Sequence, residues 1–584
     1  MAPTLANGST LASHKVFQIP EIVELILSFL DDASNASNAR VCKKWSDIAL
    51  NLLWREVPDI QPLFEILSPL EQVPGRRSLA EVGYLFTRKL GVSDWERLSR
   101  YSRRVRALVH GPDWPKPVST LAFDEVARSR PTLHILPNLR SLAWLTLDSD
   151  GMRSSLMFMH EHIVQFSASL YRNIEYPLSD YFKEVVLRMP HLTHLDLRFD
   201  FAVHHVEPDL IALVRGLPKL KQVIFPLYSL TTRIVQAMST LPHLGTIQFE
   251  FKDSQGQGDV EDVLHFAPKL REGAFPALWD LSLSARLQDV TTLLNNAYGP
   301  TNLTTLYIHV LTPTQPDEVT RFLNALAENC QLMTHLYLDY MTSSMVQAQD
   351  DPDLHPRLSW DALRPLLALP NLVVFELRWD QPIQITQADI EEIAPKWPSL
   401  EVFLFNCEPL DPSEESTLTV HALLPFARHC PKLRELGLYI DATKITDEDA
   451  AALGPSVKPF KSLERVCMGL SSISDPGPVA LFLSRLCPLT CELTSGVTWP
   501  EGFGMAETST NRERLDALQT KAAVWWEKWA EASKVLPLLT KLRIQERDAR
   551  AEMEKEVEDL RTRCRLLSAR AGVQMEGDDS CVAC

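Results

Sequence analysis

One apolar phrase, Leu-x-x-Leu-x-Leu, returns along most of this chain and restricts its fold more than any other feature. It reads Leu139-Arg-Ser-Leu142, Leu192-Thr-His-Leu195-Asp-Leu197, Leu278-Trp-Asp-Leu281-Ser-Leu283 and Leu433-Arg-Glu-Leu436-Gly-Leu438. The first apolar residue of each copy gives an anchor series: Leu139, Ile163, Leu192, Leu220, Leu244, Leu278, Leu303, Met333, Leu372, Leu400, Leu433 and Leu463, with Val105 a weaker, earlier copy. Eleven intervals of 24 to 39 residues separate Leu139 from Leu463. Their mean, about 29, sits at the upper edge of the period of one class of stacked strand-and-helix repeats.

Most copies follow a proline, as in Leu-Pro-Asn-Leu139, Met-Pro-His-Leu192, Leu-Pro-Lys-Leu220 and Cys-Pro-Lys-Leu433. Proline ends the preceding element and sets an extended approach to the next strand. Between the phrases lie amphipathic stretches such as Leu210, Leu213, Val214 and Leu217, which share one helical stripe. No single strand-helix unit can bury both its stripe and its strand leucines, so neighbours stack into a curved α/β solenoid with a parallel sheet on the concave side.

These units resemble leucine-rich repeats. The Asn or Cys common eight residues after the anchor is replaced by Asp200, Tyr228, Lys252, Asp380, Glu408, Asp441 or Ser471, so the buried asparagine ladder is expected to be absent. Irregular, proline-containing units with longer helices resemble the repeats of ubiquitin-ligase receptors more than those of extracellular receptors.

The amino-terminal region carries a second pattern. In Ile19-Pro20-Glu21 through Leu30, the residues Ile22, Leu25, Ile26, Phe29 and Leu30 fall on one helical face, with Pro20 suited to the first turn. Asp31-Asp32 and a Ser/Asn-rich turn end that helix, and Asn38 is placed to cap the next, which presents Val41, Cys42, Trp45, Ile48, Ala49 and Leu52. About forty residues is near the lower limit for a self-sufficient core, so part of this apolar surface should meet a partner.

The order of Pro20, Leu25, Leu30, Arg40, Val41, Cys42, Trp45 and Trp54 resembles the F-box, with Ile19 where Leu is frequent. That resemblance implies docking on the Skp adaptor of SCF cullin-RING ubiquitin ligases through Ile19, Pro20, Ile22, Leu25, Ile26, Phe29, Leu30, Val41, Cys42 and Trp45. The bland alternative is a helical cap for the solenoid. An F-box followed by leucine-rich repeats is similar to substrate receptors, and the layout is similar to expanded fungal F-box families.

The net charge of −17 argues against nucleic acid or anionic lipid as a general partner. Arg97, Arg100, Arg103, Arg104 and Arg106 cluster locally at spacings that fit a solvated helix face. Ten cysteines are thinly spread, which suits buried or free thiols, and the longest charge-free apolar run, Pro365 to Phe375, is too short to span a bilayer. With no basic-then-apolar leader, a cytoplasmic or nuclear protein is expected, in which Asn7, Asn35 and Asn302 receive no glycan.

No phosphate-loop, dinucleotide, HExxH or GxSxG run occurs, and glycines number only 21. His160/His162, His191/His194 and His204/His205 lack companions at zinc spacing and read as loop or surface residues. Asp148-Ser-Asp150-Gly151 reads as a turn rather than a calcium loop. The chain is expected to be non-catalytic and to need no metal or cofactor; in the ligase reading, proximity supplied to a partner enzyme is the mechanism.

Alternate strand positions, two, four and six residues past an anchor, should face away from the leucine core. They give Asp196, Arg198, Glu250, Asp280, Tyr307, His309, Tyr337, Asp339, Glu376, Arg378, Glu435 and Tyr439 as a candidate substrate face. The acids outnumber the arginines there, which suggests a protein target with a basic segment.

After Pro500 the composition turns to Arg, Glu, Lys and Ala, suggesting two helices, near 511–535 and 538–571, divided by Pro537. Met553, Val557, Leu560, Cys564 and Leu567 permit a short coiled coil, although packing on the solenoid end is favoured. The terminal Cys581-Val582-Ala583-Cys584 fits a prenylation box, which would bring a membrane into play; an acidic disordered tail is the competing reading. The expected organisation is therefore a disordered 1–15, an F-box at 16–56, a helical linker or cap at 57–104, a solenoid at 105–498, a helical extension at 499–571 and a disordered acidic tail at 572–584.

Overall fold

The structure, a computed structural model, describes residues 17, 19–72, 83–111, 118–146, 148–172, 176–250, 253–340, 357–409, 416–446, 448–449, 457–497 and 509–570. The expected disordered ends, 1–15 and 572–584, with Cys581 in the latter, lie outside the described residues. Among the described residues no helix is long and apolar enough to cross a membrane.

Three short helices come first: α1 (Pro20–Ser28), α2 (Asp32–Asn38) and α3 (Lys43–Leu53). Pro20 opens α1, and Asp31 caps α2 by accepting a hydrogen bond from the Ser34 amide at 2.8 Å. Cys42, not Asn38, stands at the start of α3, without a side-chain cap. Val23, Leu27 and Ala49 form a small core closed by Ala39, Trp45, Ile48 and Leu52. Asn35, buried, donates from Nδ2 to the Leu27 and Leu30 carbonyls and so ties α2 to the end of α1.

The chain then enters a parallel sheet. Strands β1 (Glu56–Val57), β4 (Ala107–His110), β5 (Ser141–Trp144), β6 (Gln165–Ser169), β7 (His194–Arg198), β8 (Gln222–Pro226), β9 (Thr246–Glu250), β10 (Asp280–Ala285) and β11 (Thr305–Val310) pair in that order within a first body. Between β1 and β4, β2 (Leu70–Gln72) and β3 (Tyr84–Phe86) form a separate antiparallel pair. The segment expected as a helical linker or cap holds the helices Gln61–Leu67 and Val92–Ser102 and these two strands as well, and β1 brings the sheet directly onto the end of the helical module through Glu56↔Ala107 and Val57↔Leu108. A second body carries β12 (His335–Asp339), β13 (Val374–Arg378), β14 (Val402–Phe405), β15 (Glu435–Leu438), β17 (Arg465–Cys467) and β19 (Glu492–Thr494), again parallel neighbours, with β16 (Asp441–Ala442) and β18 (Ser472–Ile473) paired beside them.

Every anchor of the repeat is buried, Val105 included, and the strand of each copy begins two residues after its anchor. Leucines and phenylalanines three and five residues past the anchor point inward, such as Leu195/Leu197, Leu336/Leu338 and Phe403/Phe405. In the first body, helices such as α4 (Leu178–Arg188), α5 (Glu207–Gly216) and α6 (Thr232–Met238) add their own buried apolar residues to this core. Not every unit has a helix: the described connection between β9 and β10 holds only short 3-10 turns at Asp253–Gln255 and Val260–Asp262.

The missing asparagine ladder is replaced piecemeal. Ser471 accepts from the Ile440 amide at 2.9 Å and donates to the Leu438 carbonyl at 3.1 Å. Asn406, two residues earlier in its own unit and in a left-handed conformation, accepts from the Trp379 amide and donates to the Gln381 carbonyl, both at 2.8 Å. Each satisfies buried backbone groups that a ladder residue would otherwise serve.

The second body ends in α7 (Pro476–Leu486) and one 62-residue helix, α8 (Ser509–Arg570). The expected break at Pro537 does not occur. Trp529, Ala532, Leu536 and Thr540 are buried on both sides of it, and that packing offsets the roughly 3 kcal/mol cost of a proline inside a helix. Trp529 donates from its indole N–H to the Ser471 carbonyl at 2.8 Å, and Trp526 to the Gly469 carbonyl at 3.3 Å. Gly469 has a positive φ and lies so close to the Cys407 carbonyl that a Cβ would clash at 2.0 Å.

Candidate functional site

The helical module buries one side of α1 and exposes the other. Val23 and Leu27, absent from the sequence-derived stripe, face the core, whereas Leu25 is 59% exposed, Phe29 81% and Val41 62%. Ile19, Ile26, Leu30 and Cys42 are exposed as well, and Pro20 lies among them; Ile22 and Trp45 are partly covered. All ten residues expected to meet an adaptor thus lie on or at the edge of a solvent-facing surface, and most are apolar. Such concentration is unusual for a surface with no partner. Phe17, which the motif reading omitted, joins this surface, its ring 5.6 Å from that of Trp45. Its only sequence signal was being one more apolar residue just before Ile19-Pro20.

Trp54 belongs elsewhere: its ring packs on Tyr101 at 5.0 Å. The arginine cluster near it is more than a solvated face. Arg104 donates to the Asp47 carbonyl and carboxylate, both at 3.0 Å, and to Asn51, so it clamps α3. Arg97 and Arg88 each hold Asp94 at 2.6 Å, and hydrogen bonding from Arg88 draws this buried carboxyl down to about 2.

The strand face is less open than alternation alone predicts. In the first body Asp196 pairs with Arg198 at 3.1 Å and accepts from Gln255 at 2.9 Å, and these two residues, Glu250 and Tyr307 are half-buried. Asp280 and His309 are buried instead. Asp280 accepts from Gln248 at 2.7 Å through one oxygen, its other oxygen has no hydrogen-bond partner among the described residues, and desolvation pushes its carboxyl up to about 6. His309 lies 3.2 Å from the Tyr228 hydroxyl, which a left-handed backbone turns toward it.

In the second body Tyr337 and the ion pair of Glu376 with Arg378, at 2.7 Å, are half-buried, and burial pushes the Glu376 carboxyl up. Glu435 pairs with Arg465 at 3.3 Å. Asp339 and Tyr439 are buried, Tyr439 because α8 lays Ala522, Trp525 and Trp526 against it. An exposed recognition role for Asp280, His309, Asp339 and Tyr439 is therefore corrected to an interior one.

His134, His160 and Glu161 bring ligand atoms within 4.8 Å of one another. His160, however, is buried rather than a surface residue, and both its ring nitrogens are occupied: Nε2 lies 2.9 Å from the Leu136 carbonyl, and Nδ1 accepts from the His162 amide at 3.2 Å. The cluster reads as a structural hydrogen-bond knot. The run from Asp148 to Gly151, expected as a turn, instead starts a short helix, Ser149–Ser154, which Asp148 caps by accepting from the Gly151 amide at 2.6 Å.

Comparison with known proteins bears on the first of these surfaces. No curated protein matches the chain significantly. Among solved structures, the yeast Rad7–Elc1 complex is similar at 14% identity over 59% of this chain and 80% of that one, with a TM-score of 0.33. A protein from Bacteroides fragilis is similar at 14% identity over 59% and 67%, with a TM-score of 0.20. Likenesses this slight carry no functional weight. Residues 20–57, the three helices and β1, match the F-box-like family, so the exposed apolar surface is that of an F-box-like domain.

Proposed function

We propose that this chain is a non-catalytic substrate receptor of an SCF-type ubiquitin ligase. Its F-box-like domain docks on a Skp adaptor through the surface around Leu25, Phe29 and Val41, and its repeats hold a target protein. The observation that carries the reading is the apolar outer side of α1, exposed although α1 has a well-packed inner side. Adaptor docking desolvates that surface and supplies the burial the domain cannot provide for itself. The receptor then acts by raising the concentration of a bound target near charged ubiquitin, in the cytoplasm or nucleus.

The half-buried residues Asp196, Arg198, Glu250, Tyr307, Tyr337, Glu376, Arg378 and Glu435 are the target-binding candidates. Asp196, Glu376 and Glu435 each already hold an arginine, so a basic target segment has to displace an internal ion pair and is favoured less than charge counting suggests. The second reading is an F-box scaffold that uses the adaptor without a cullin.

Co-purification of the adaptor and cullin with the intact chain and with Leu25→Asp separates these readings. The intact chain should retain both partners and the variant neither, with its thermal unfolding unchanged because Leu25 faces solvent. Adaptor without cullin supports the scaffold. Capture of neither by the intact chain reduces the domain to a cap on the repeats.

A further inference from the structure

We propose that the outer half of α8 is a self-association helix, which pairs antiparallel with the same segment of a second copy of this chain. The helix has two unlike halves. Up to Thr540 a stripe of Ala522, Trp529, Ala532, Leu536 and Thr540 is buried in the second body. From Gln545 to Leu567 every residue is exposed, yet the apolar stripe resumes, with Met553 64% and Leu567 63% exposed. About two dozen residues of helix, some 35 Å at 1.5 Å per residue, thus stand clear of the described residues.

The spacing of Met553, Val557, Leu560, Cys564 and Leu567 alternates four and three without a slip, the seam that faces a partner helix. It also continues the frame of the packed half: stepping three and four from Ala522 passes through Trp525, Trp529, Ala532 and Leu536, and reaches Met553 by way of the polar Arg543, Glu546 and Arg550. One uninterrupted register therefore serves the body first and is left uncovered afterwards.

Charge selects the occupant. Residues 546–559 carry seven acids against three bases, whereas 561–570 carry four arginines and no acid. A parallel copy would lay acid beside acid over the first stretch. An antiparallel copy lays each block on its opposite, which makes the segment its own complement.

The register follows from the pattern. Val557 meets the second copy's Leu560, and Met553 meets its Cys564, each twice by symmetry. Flanking this seam, Glu554 faces Arg561 and Glu556 faces Arg563, giving four opposed pairs. Within one helix Arg561 contacts Glu558 at 3.7 Å and Arg563 contacts Asp559 at 2.9 Å. Those exposed pairs are weak and can be shared with a facing carboxylate.

Sedimentation of the full chain should show a concentration-dependent dimer that weakens with added salt, and Leu560→Asp should abolish it with no change in thermal unfolding. Mild oxidation tests the direction. In the antiparallel register Cys564 faces Met553, so the native chain should form no Cys564–Cys564 bond, while Met553→Cys should give a dimer whose tryptic peptides join position 553 to Cys564. A native Cys564–Cys564 crosslink would overturn the antiparallel assignment. A chain that stays monomeric at its highest soluble concentration, or a dimer that survives Leu560→Asp, would overturn self-association through this stripe.

Discussion

Helix α1 of the F-box-like domain and helix α5 of the repeats are built from similar parts. Both are short, both carry proline in the first turn and both carry acids there. In α5 every large apolar side chain, Leu210, Ile211, Leu213 and Val214, is buried by neighbouring units. In α1 only Val23 and Leu27 are, and Leu25 and Ile26 remain in water. The difference lies in the supply of neighbours: a stacked unit is covered by the next repeat, whereas a three-helix module runs out of chain before it runs out of apolar surface. In the proposed function, that apolar surplus is what the adaptor covers.

The sharpest way to break this contrast is a matched set of truncations followed by urea denaturation. Leu210→Ala should cost about 2–5 kcal/mol, and Leu27→Ala should fall toward the lower end because the domain can relax around it. Leu25→Ala should stay within about 0.5 kcal/mol while weakening adaptor capture. A Leu25→Ala loss as large as that of Leu210→Ala would mean the outer side of α1 is covered within the chain, and the adaptor reading would lose its main support.

A second contrast separates strands of the same sheet. Polar residues of β7 are half-buried and paired, whereas Asp280 of β10 is buried with one oxygen unserved among the described residues. Its carboxyl is raised from 3.8 to about 6, so the folded state holds the proton more tightly than the unfolded chain does. The stability this confers is complete below about pH 4 and is lost as pH rises through 6. Asp280→Asn can keep the bond to Gln248 without a charge, so it should remove that slope and raise stability at neutral pH by up to about 3 kcal/mol. Denaturation on both sides of the window measures it. An unchanged slope would mean that Asp280 is solvated in solution and that β10 resembles β7.

What was legible in the sequence follows the strength of local patterning. Leu192, Leu195 and Leu197 announce an anchor and two inward positions because a strand alternates strictly, so the core could be read almost residue by residue. The short strands Glu56–Val57 and Glu492–Thr494 were missed because neither carries the full phrase. The exposed apolar side of α1 was legible from Leu25, Ile26 and Phe29. Its inner side was not, since Val23 and Leu27 lie off the stripe that the others define and a helix apolar on two sides has no single stripe. The burial of His309 and Tyr439 depends on Tyr228 and on α8, residues distant in sequence whose approach no local period encodes. Pro537 misled for the same reason, because tertiary packing overrode a local breaker.

The smallest expected effect concerns how the domain is joined to the repeats. Arg104 reaches back to Asp47 and Asn51 on α3, and Trp54 leans on Tyr101, while β1 hydrogen-bonds into the sheet. The backbone pairing and the ring contact remain when the guanidinium is removed, and Asp47 is largely exposed, so Arg104→Ala should cost less than about 1 kcal/mol. Adaptor capture should persist, with faster amide exchange confined to residues 43–53. Arg104→Lys should behave like the alanine variant, because a single ammonium cannot serve a carbonyl, a carboxylate and an amide oxygen at once from one planar fork. If either variant instead unfolds α1 together with α3, the domain owes its order to the arginine clamp, and the surplus apolar side of α1 is held in place by the repeats rather than by its own small core.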